Sequence, residues 1–568
     1  MRRFFKYTSW IIVFVCIFSL AGWLNSFTRS LNKSDINMMR DARGENAVVA
    51  SAKSEASQAG IEIMKKGGNI IDAAVAAAFV LSVTEPDASG IGGGGFILIR
   101  FAKTGEEVFI DFRERAPENA TRDMYQLDED GGVINKEQTI GGKAVAVPGE
   151  VAGLLMVLDK YGTMSRGDVM GPAIDLAENG FVVTDNFAKI IRGEIEKIRK
   201  FDQTHRIYLK NNRPPRVGSL IKNPDLANTL KIIAKEGSDG FYKGEIAHDM
   251  VKTVRETGGI LTLNDLANYE VRLRQPIKGS YRGFEIISAP PPSAGGIHIL
   301  QLLNILENYK LEKLGHNTRE TLHLWAESSK LMFADRDKYM ADTDFVQPPI
   351  KGLISKDYAR ELSDKINLKI SNKKIKSGDP YRYESGSTTH LSIMDRQGNV
   401  LAMTKTINNH FGSGVTVAGR GFLLNDEMDD FNLGMGGANF IEPGKRPLSN
   451  MTPTLLLKNG EAFLTLGSPG SSRIIPTVAQ IISNIIDHKM DVQEAINAPR
   501  LFDRDGILTL EGKVDSYIIE GLGDMGHEIC LKKYLDPYFG GVQCVILDES
   551  GLLHGGADPR RDGQALGY

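Results

Sequence analysis

The chain has 568 residues, 42% hydrophobic and 24% charged, which is the make-up of a globular protein with a large core rather than a disordered or fibrous one. Its 68 Lys and Arg against 71 Asp and Glu leave a formal charge of −3, and no basic run is interleaved with aromatics, so no nucleic-acid partner is expected. No Cys clusters with a His, and the ten histidines are scattered, so neither a thiol nucleophile nor a metal or cofactor site is expected. At the N-terminus Arg2, Arg3 and Lys6 precede a span without charge from Tyr7 to Thr28, apolar from Trp10 to Leu24. A basic start followed by an apolar run is an export segment. It is long enough to cross a bilayer as a helix, and Ser19-Leu20-Ala21 also offers a peptidase site. Residues 1–36 therefore read as a membrane anchor or cleaved signal plus linker, with the remainder outside the cytoplasm. Cys16 lies in this segment; Cys530 and Cys544 either pair or remain free thiols.

A helical pattern runs from Ser54 to Lys66 and stops at Gly67-Gly68. Asn69 caps a second helix to about Val83, apolar on all faces and therefore buried. In the following GIGGGGFILIRF, Gly90, Gly92 and Gly95 have dinucleotide-loop spacing. A helix precedes them and a strand follows, the reverse of what that loop needs, so a tight, closely packed turn is expected. Mixed helices and loops extend to about residue 380, and Lys374–Ser387 reads as an exposed joint. Beyond it Thr388–Met394 and Val400–Ile407 form one expected hairpin. Thr454–Leu457 and Ala462–Leu466 form another around Asn459-Gly460. GSPGSSR then leads into a helix with Ile474, Ile475, Val478, Ile481, Ile482 and Ile485 on one stripe. Strands covered by helices on both sides of position 388 point to a layered α/β sandwich.

In an intact chain Thr388 needs no role beyond starting a strand. If the chain is cut before it, its hydroxyl shares a residue with a free α-amine. That amine titrates near ~8 and can serve as the base a hydroxyl nucleophile requires. The Gly467–Ser472 turn ends at a helix start, where backbone N–H groups favour an oxyanion.

The chain resembles the gamma-glutamyltranspeptidase (glutathione hydrolase) family of N-terminal nucleophile hydrolases. The resemblance is carried by ASGIGGGGF, DFRERAP, APPPSAGG, FADRDKYMAD, STTHLSI, LLNDEMDDF, KRPLSNMTPT and GSPGSSRI, in order from about Gly44 to the end. It implies a four-layer αββα sandwich, one domain built from a large subunit (37–387) and a small one (388–568) by self-cleavage between Ser387 and Thr388. It implies Thr388 as nucleophile, Thr406 as its orienting partner, and the N–H groups of Gly470 and Ser471 as oxyanion donors. The substrate α-carboxylate would fall to Arg113, Ser449 and Asn450, and the α-amino group to Asn408, Glu427 and Asp430. The implied reaction moves a γ-glutamyl group from glutathione or a similar donor, through an ester on Thr388, to water or to an amino acid or peptide acceptor.

Three departures from the family pattern stand out. Asn450 replaces a serine, Ser471 replaces a glycine where a positive φ is costly, and the FNLGMGGANFIEPG segment (431–444) is short, which implies an open cleft. That openness supports an alternative in the same superfamily, a poly-γ-glutamate depolymerase or transferase. A non-catalytic surface binding protein is a further alternative, opposed by the intact Thr388, Thr406 and Asp430.

Overall fold

The computed structural model describes residues 40–373, 386–433, 438–504 and 506–568. The N-terminal apolar segment with Cys16, and most of the 374–387 joint, lie outside the described residues. Among the described residues no helix is long and apolar enough to cross a membrane.

Two seven-stranded sheets form the centre. One runs, edge to edge, Gln564–Gly567, Ala47–Ser51, Gly386–Asp395, Val400–Asn409, Gly94–Arg100, Glu107–Asp111, Arg272–Arg274. The other runs Ala42–Gly44, Leu553–Ala557, Gln543–Leu547, Glu461–Gly467, Thr454–Lys458, Phe284–Ser288, Ile277–Tyr281. Because successive strand side chains point to opposite faces, Ile97, Ile99, Leu391, Ile393, Leu401 and Met403 share a core with the helices Ser54–Lys65, Ile70–Thr84 and Glu150–Tyr161. Their neighbours Phe96, Leu98, Met394, Val400 and Ala402 pack instead with Leu456, Leu464 and Leu466 of the second sheet and with the helices Gly295–Leu306 and Ile474–Ile486. The layers are helix, sheet, sheet, helix, the four-layer αββα sandwich expected.

Local chemistry explains the elements that flank the Thr388 strand. Asn69 starts Ile70–Thr84 with a capping box, accepting from the N–H groups of Ile71 and Asp72, and every residue of that helix is buried. The Thr454–Lys458/Glu461–Gly467 hairpin turns through Asn459 (φ 54°) and Gly460 (φ 84°), the two left-handed residues a type I′ turn demands. Within the region read as helices and loops several stretches are strand: Glu107–Asp111 pairs with Arg272–Arg274, and Ile277–Tyr281 pairs with Phe284–Ser288 at the edge of the other sheet. The turn of this second hairpin carries Arg282 at φ 49° before Gly283, a residue pair without the Asn-Gly signal, and its outer strand is half-exposed. Cys530 and Cys544 are free thiols on separate sheets.

The Gly386–Asp395 strand lies between Ala47–Ser51 and Val400–Asn409, so segments from either side of Thr388 interleave within one sheet. The glycine run before Gly94–Arg100 is the expected close-packed turn. A Cβ on Gly93 would lie 2.0 Å from the Thr406 carbonyl oxygen, which only a glycine can allow.

Candidate active site

Thr388 and Thr406 face each other across the Gly386–Asp395/Val400–Asn409 hairpin. Their Oγ1 atoms are 3.4 Å apart, longer than a full hydroxyl hydrogen bond. The Asn408 N–H donates to Thr406 Oγ1 at 2.8 Å and fixes that hydroxyl. The ladder is irregular here: Gly386 pairs with Asn409 but Thr388 pairs with Thr406, so Ile407 and Asn408 stand opposite the single Ser387 and the facing strand bulges. Asn408 on the facing strand takes φ 71°. His390, two residues on, is bonded to Thr404 and Ser392 and pushed down to about 3 by burial, so it is a neutral packing residue. From the other side, Arg561 Nη1 donates to the Thr388 carbonyl at 2.9 Å and lies 3.8 Å from Glu85.

The His390 ring packs directly on the backbone of Gly467, and this contact sets the next turn beside the Thr388 strand. The chain leaves Glu461–Gly467, turns, and enters a short 3₁₀ segment, Ser471–Arg473, before the helix Ile474–Ile486. Gly470 takes φ 130° and Ser471 φ 55°, so the serine occupies a left-handed conformation that costs it about 1–2 kcal/mol. Ser468 Oγ holds the turn, donating to the Pro469 carbonyl at 2.7 Å and accepting the Gly541 N–H at 3.2 Å.

Arg113 follows the Glu107–Asp111 strand and is buried, with its own N–H bonded to Asp111. Its guanidinium forks onto two acids, Glu427 at 2.7 Å and Asp430. Nε and Nη2 donate to the carbonyls of Pro447 and Leu448 at 3.3 Å, immediately before Ser449. Glu114 lies 3.7 Å away with neither carboxylate oxygen hydrogen-bonded. Burial works against the Arg113 charge, but Glu427, Asp430 and Glu114 hold it on. The acids respond the other way: burial pushes Glu114 up to about 8, and burial with neighbouring Asp426 and Asp430 pushes Asp429 up to about 8. Asn408 Nδ2 donates to the Asp426 carbonyl at 3.1 Å, joining this cluster to the threonine pair.

The structure thus brings Thr388, Thr406 and Asn408 together, sets Arg113, Glu427 and Asp430 next to them, and places Ser449 at the edge of that cluster. The pairing inside the cluster differs from the expected division of labour. Arg113 binds Glu427 and Asp430, the acids assigned to an ammonium group. Ser449 Oγ accepts the Met451 N–H, leaving its own proton to donate. Asn450 Oδ1 accepts from buried Arg336 at 2.7 Å, so its amide nitrogen faces away from that arginine. Ser387 lies opposite the bulge, and its side chain is outside the described residues. Sequence reasoning missed Arg561, Glu85 and Arg336. The only trace of the first is the mixed-charge run Asp558-Pro559-Arg560-Arg561-Asp562. Among the described residues one group, His323, Glu327 and His527, has metal-binding proximity, but Lys330 Nζ, 2.5 Å from Glu327, already fills the cation's place.

A family model described as Gamma-glutamyltranspeptidase matches residues 56–568. A "Glutathione hydrolase proenzyme" of Escherichia coli (strain K12) is 40% identical over 548 residues, covering 94% of this chain and 93% of that protein. A protein of the same description from Bacillus subtilis (strain 168) is 42% identical, covering 92% of each. The solved cephalosporin acylase from Bacillus halodurans superposes with a TM-score of 0.84 at 29% identity, covering 93% of this chain and 97% of that one. With the family model matched over residues 56–568, on a sandwich that sets Thr388 against Thr406 beside a bulge in the facing strand, the chain belongs to the gamma-glutamyltranspeptidase family.

Proposed function

We infer that the protein is a gamma-glutamyltranspeptidase and glutathione hydrolase that matures by cutting itself before Thr388 and acts outside the cytoplasm. The observation that carries this reading is the Thr388–Thr406 pair beside a bulge in the facing strand, linked through Asn408 to a buried cluster with an excess of carboxylates. In maturation Thr388 Oγ attacks the Ser387 carbonyl carbon, the Ser387–Thr388 C–N bond breaks, and the nitrogen leaves as the α-amine of Thr388. Water then hydrolyses the ester and frees the Ser387 carboxylate. Because both sheets interleave strands from either side of the cut, the two subunits remain one body.

In turnover the freed amine takes the Thr388 hydroxyl proton as Oγ attacks the γ-carbonyl of the donor. Backbone N–H groups of Gly470 and Ser471 meet the oxyanion, a contribution of about 3 kcal/mol per donor. The left-handed turn at Ser471 is the backbone strain that keeps these groups aimed. The donor's α-carboxylate takes over the planar fork of Arg113, assisted by Ser449 and Asn450. Its α-ammonium then takes Glu427 and Asp430, with Asn408 beside them. A zwitterion thus exchanges partners with a preformed ion cluster, and both charges stand at a fixed distance from the reacting carbonyl. The amine returns the proton to the leaving nitrogen, and water or an amine acceptor releases the acyl group.

Purified protein incubated with glutathione is expected to release glutamate and to run as two bands divided at Thr388 on a denaturing gel. Thr388→Ala should run as one uncut chain without activity. Shortening of poly-γ-glutamate without glutathione cleavage would replace this reading by the polymer-cutting one. An uncut, inactive wild type would instead favour a binding protein.

A further inference from the structure

Arg561 touches Thr388, yet the reaction set out above gives it no part. Its N–H donates to the Asp558 carbonyl at 3.3 Å, and its own carbonyl accepts from Arg40 Nη1 at 2.9 Å. Its stem lies flat on the backbone of Gly541, where a Cβ would stand 2.8 Å from Arg561 Cδ. Held in this way the side chain runs inward, is only 10% exposed, and donates from Nη1 to the Thr388 carbonyl at 2.9 Å. Cutting before Thr388 turns it into the first residue of a chain, and first residues fray unless they are tied down. The Arg561 bond ties this one: a held carbonyl fixes rotation about the Thr388 Cα–C bond, and with it the direction of the α-nitrogen.

The α-nitrogen stands three bonds from that carbonyl oxygen. The guanidinium therefore lies within the range, about 4–6 Å, over which one charge shifts a neighbour's titration by a unit or more. Most other charges around Thr388 are paired among themselves. Lys53 is tied to Asp562 at 2.6 Å, Asp87 to His410 at 2.8 Å, and Lys405 to Glu150 at 2.5 Å. On the Asn408 side Glu114, Glu427 and Asp430 face Arg113, and His390 is neutral. Beyond Gly470 a second cation, Arg473, stacks over the Tyr538 ring. Glu85, 3.8 Å from Arg561, is the nearest counter-charge, and burial pushes its carboxyl up, which weakens it in that role.

We propose that Arg561 is a positioning residue for the base of the reaction: it aims the freed α-amine of Thr388 and, by its charge, keeps that amine in the neutral form that accepts the Oγ proton. This rests on the functional reading above and adds to it the group that readies its base.

The test follows kcat of matured enzyme with saturating γ-glutamyl-p-nitroanilide against pH, because the acid limb of kcat reports the base within the substrate complex. In wild type that limb is expected at about 7 or below, against the ~8 of an α-amine in a free chain. Arg561→Gln should move it up by about one pH unit, so that the deficit at pH 6 is about ten times the deficit at pH 9. Arg561→Lys keeps the charge and should hold the limb nearer to wild type, although its ammonium loses the planar fork. A purely structural role would lower kcat by one factor at every pH. That result, or a lysine variant whose limb moves as far as that of the glutamine variant, would overturn the proposal while leaving the glutathione hydrolase reading intact. Should Arg561→Gln remain uncut, the wild type decides, since a limb at 8 or above would overturn the proposal equally. A wild type that matures but releases no glutamate from glutathione would overturn the functional reading itself.

Discussion

Two buried charge clusters in this molecule are built on opposite principles. In the segment after Thr388, Arg500 and Arg560 face Glu511 and Asp558, two cations against two anions, all buried. Their remaining arms are spent on backbone: Arg560 Nη1 and Nη2 donate to the Ile496 and Ala498 carbonyls, and Asp558 accepts the Val542 N–H. Burial opposes the ionisation of Asp558, but Arg500 and Arg560 override it and hold the carboxyl below the ordinary range. Around Arg113 the balance fails by design of the sequence: one guanidinium meets Glu114, Glu427 and Asp430, with Asp426 and Asp429 behind them. A matched cluster is complete within the fold. In the unmatched one burial raises the carboxyl groups, and the neighbouring acids add to the rise.

Breaking the unmatched cluster should have the largest effect on activity. Arg113→Gln leaves the donor carboxylate without its fork and the acids without their one cation. The expected fall in kcat/KM for glutathione is about 10³-fold, or roughly 4 kcal/mol, as for truncating one member of a buried ion pair. Initial rates on the matured enzyme check it; a variant within tenfold of wild type would refute the carboxylate role of Arg113. The matched cluster should respond in the opposite way. Arg500→Met strands Asp558 beside one arginine instead of two and should cost about 3 kcal/mol of stability. The fraction that folds should keep glutathione kinetics within about twofold of wild type. Denaturant unfolding together with active-site-normalised rates separates the two effects.

The pH dependence sharpens the contrast further. Glu114, raised to about 8, holds its proton more tightly folded than unfolded. Its contribution to stability is therefore complete below the ordinary carboxylate range and is lost as pH rises toward 8. Asp558, depressed, contributes above the ordinary range and loses that contribution on acidification. Glu114→Gln should accordingly flatten the decline in stability between pH 5 and pH 8, and leave the acid limb unchanged. Urea midpoints at the two pH values suffice to check this, and a variant whose decline equals that of wild type would exclude Glu114 as its source.

Much of this architecture is written locally. Asn69 with its apolar run, Asn459-Gly460 between alternating strands, and the isoleucine stripe after GSPGSSR each specify their element by short-range chemistry, and each is found where the sequence places it. The Ile277–Ser288 hairpin is less legible, because an edge strand needs little apolar patterning and Arg282 is an unusual left-handed residue. In the site, the family motifs mark the residues that are brought together, but not the ones that hold them. Arg561 reaches Thr388 across 173 positions of sequence, and Arg336 reaches Asn450 across 114. No local pattern encodes either contact; only the interleaving of the two sheets and their covering helices makes them neighbours.

Asn450 gives the smallest and most discriminating test. Its Oδ1 is taken by Arg336 Nε at 2.7 Å, and Arg336 is itself steadied by Asp337 at 2.7 Å through Nη1. That grip settles which end of the amide is offered away from Arg336: a donor, the same hydrogen-bonding character a serine hydroxyl would supply. Asn450→Ser should therefore keep kcat and raise the glutathione KM only about threefold, since the shorter side chain cannot span to Arg336 and leaves that guanidinium one partner short. Asn450→Asp keeps the reach and the contact with Arg336 but replaces the donor with a second acceptor. Facing a substrate carboxylate, it should raise KM about tenfold or more while maturation proceeds normally. Both substitutions retain a polar group at position 450, and only one reverses the sign of what the site presents. If Asn450→Asp bound glutathione as well as Asn450→Ser, the donor's carboxylate would have to lie elsewhere, and Ser449 with Arg113 would be its whole cradle.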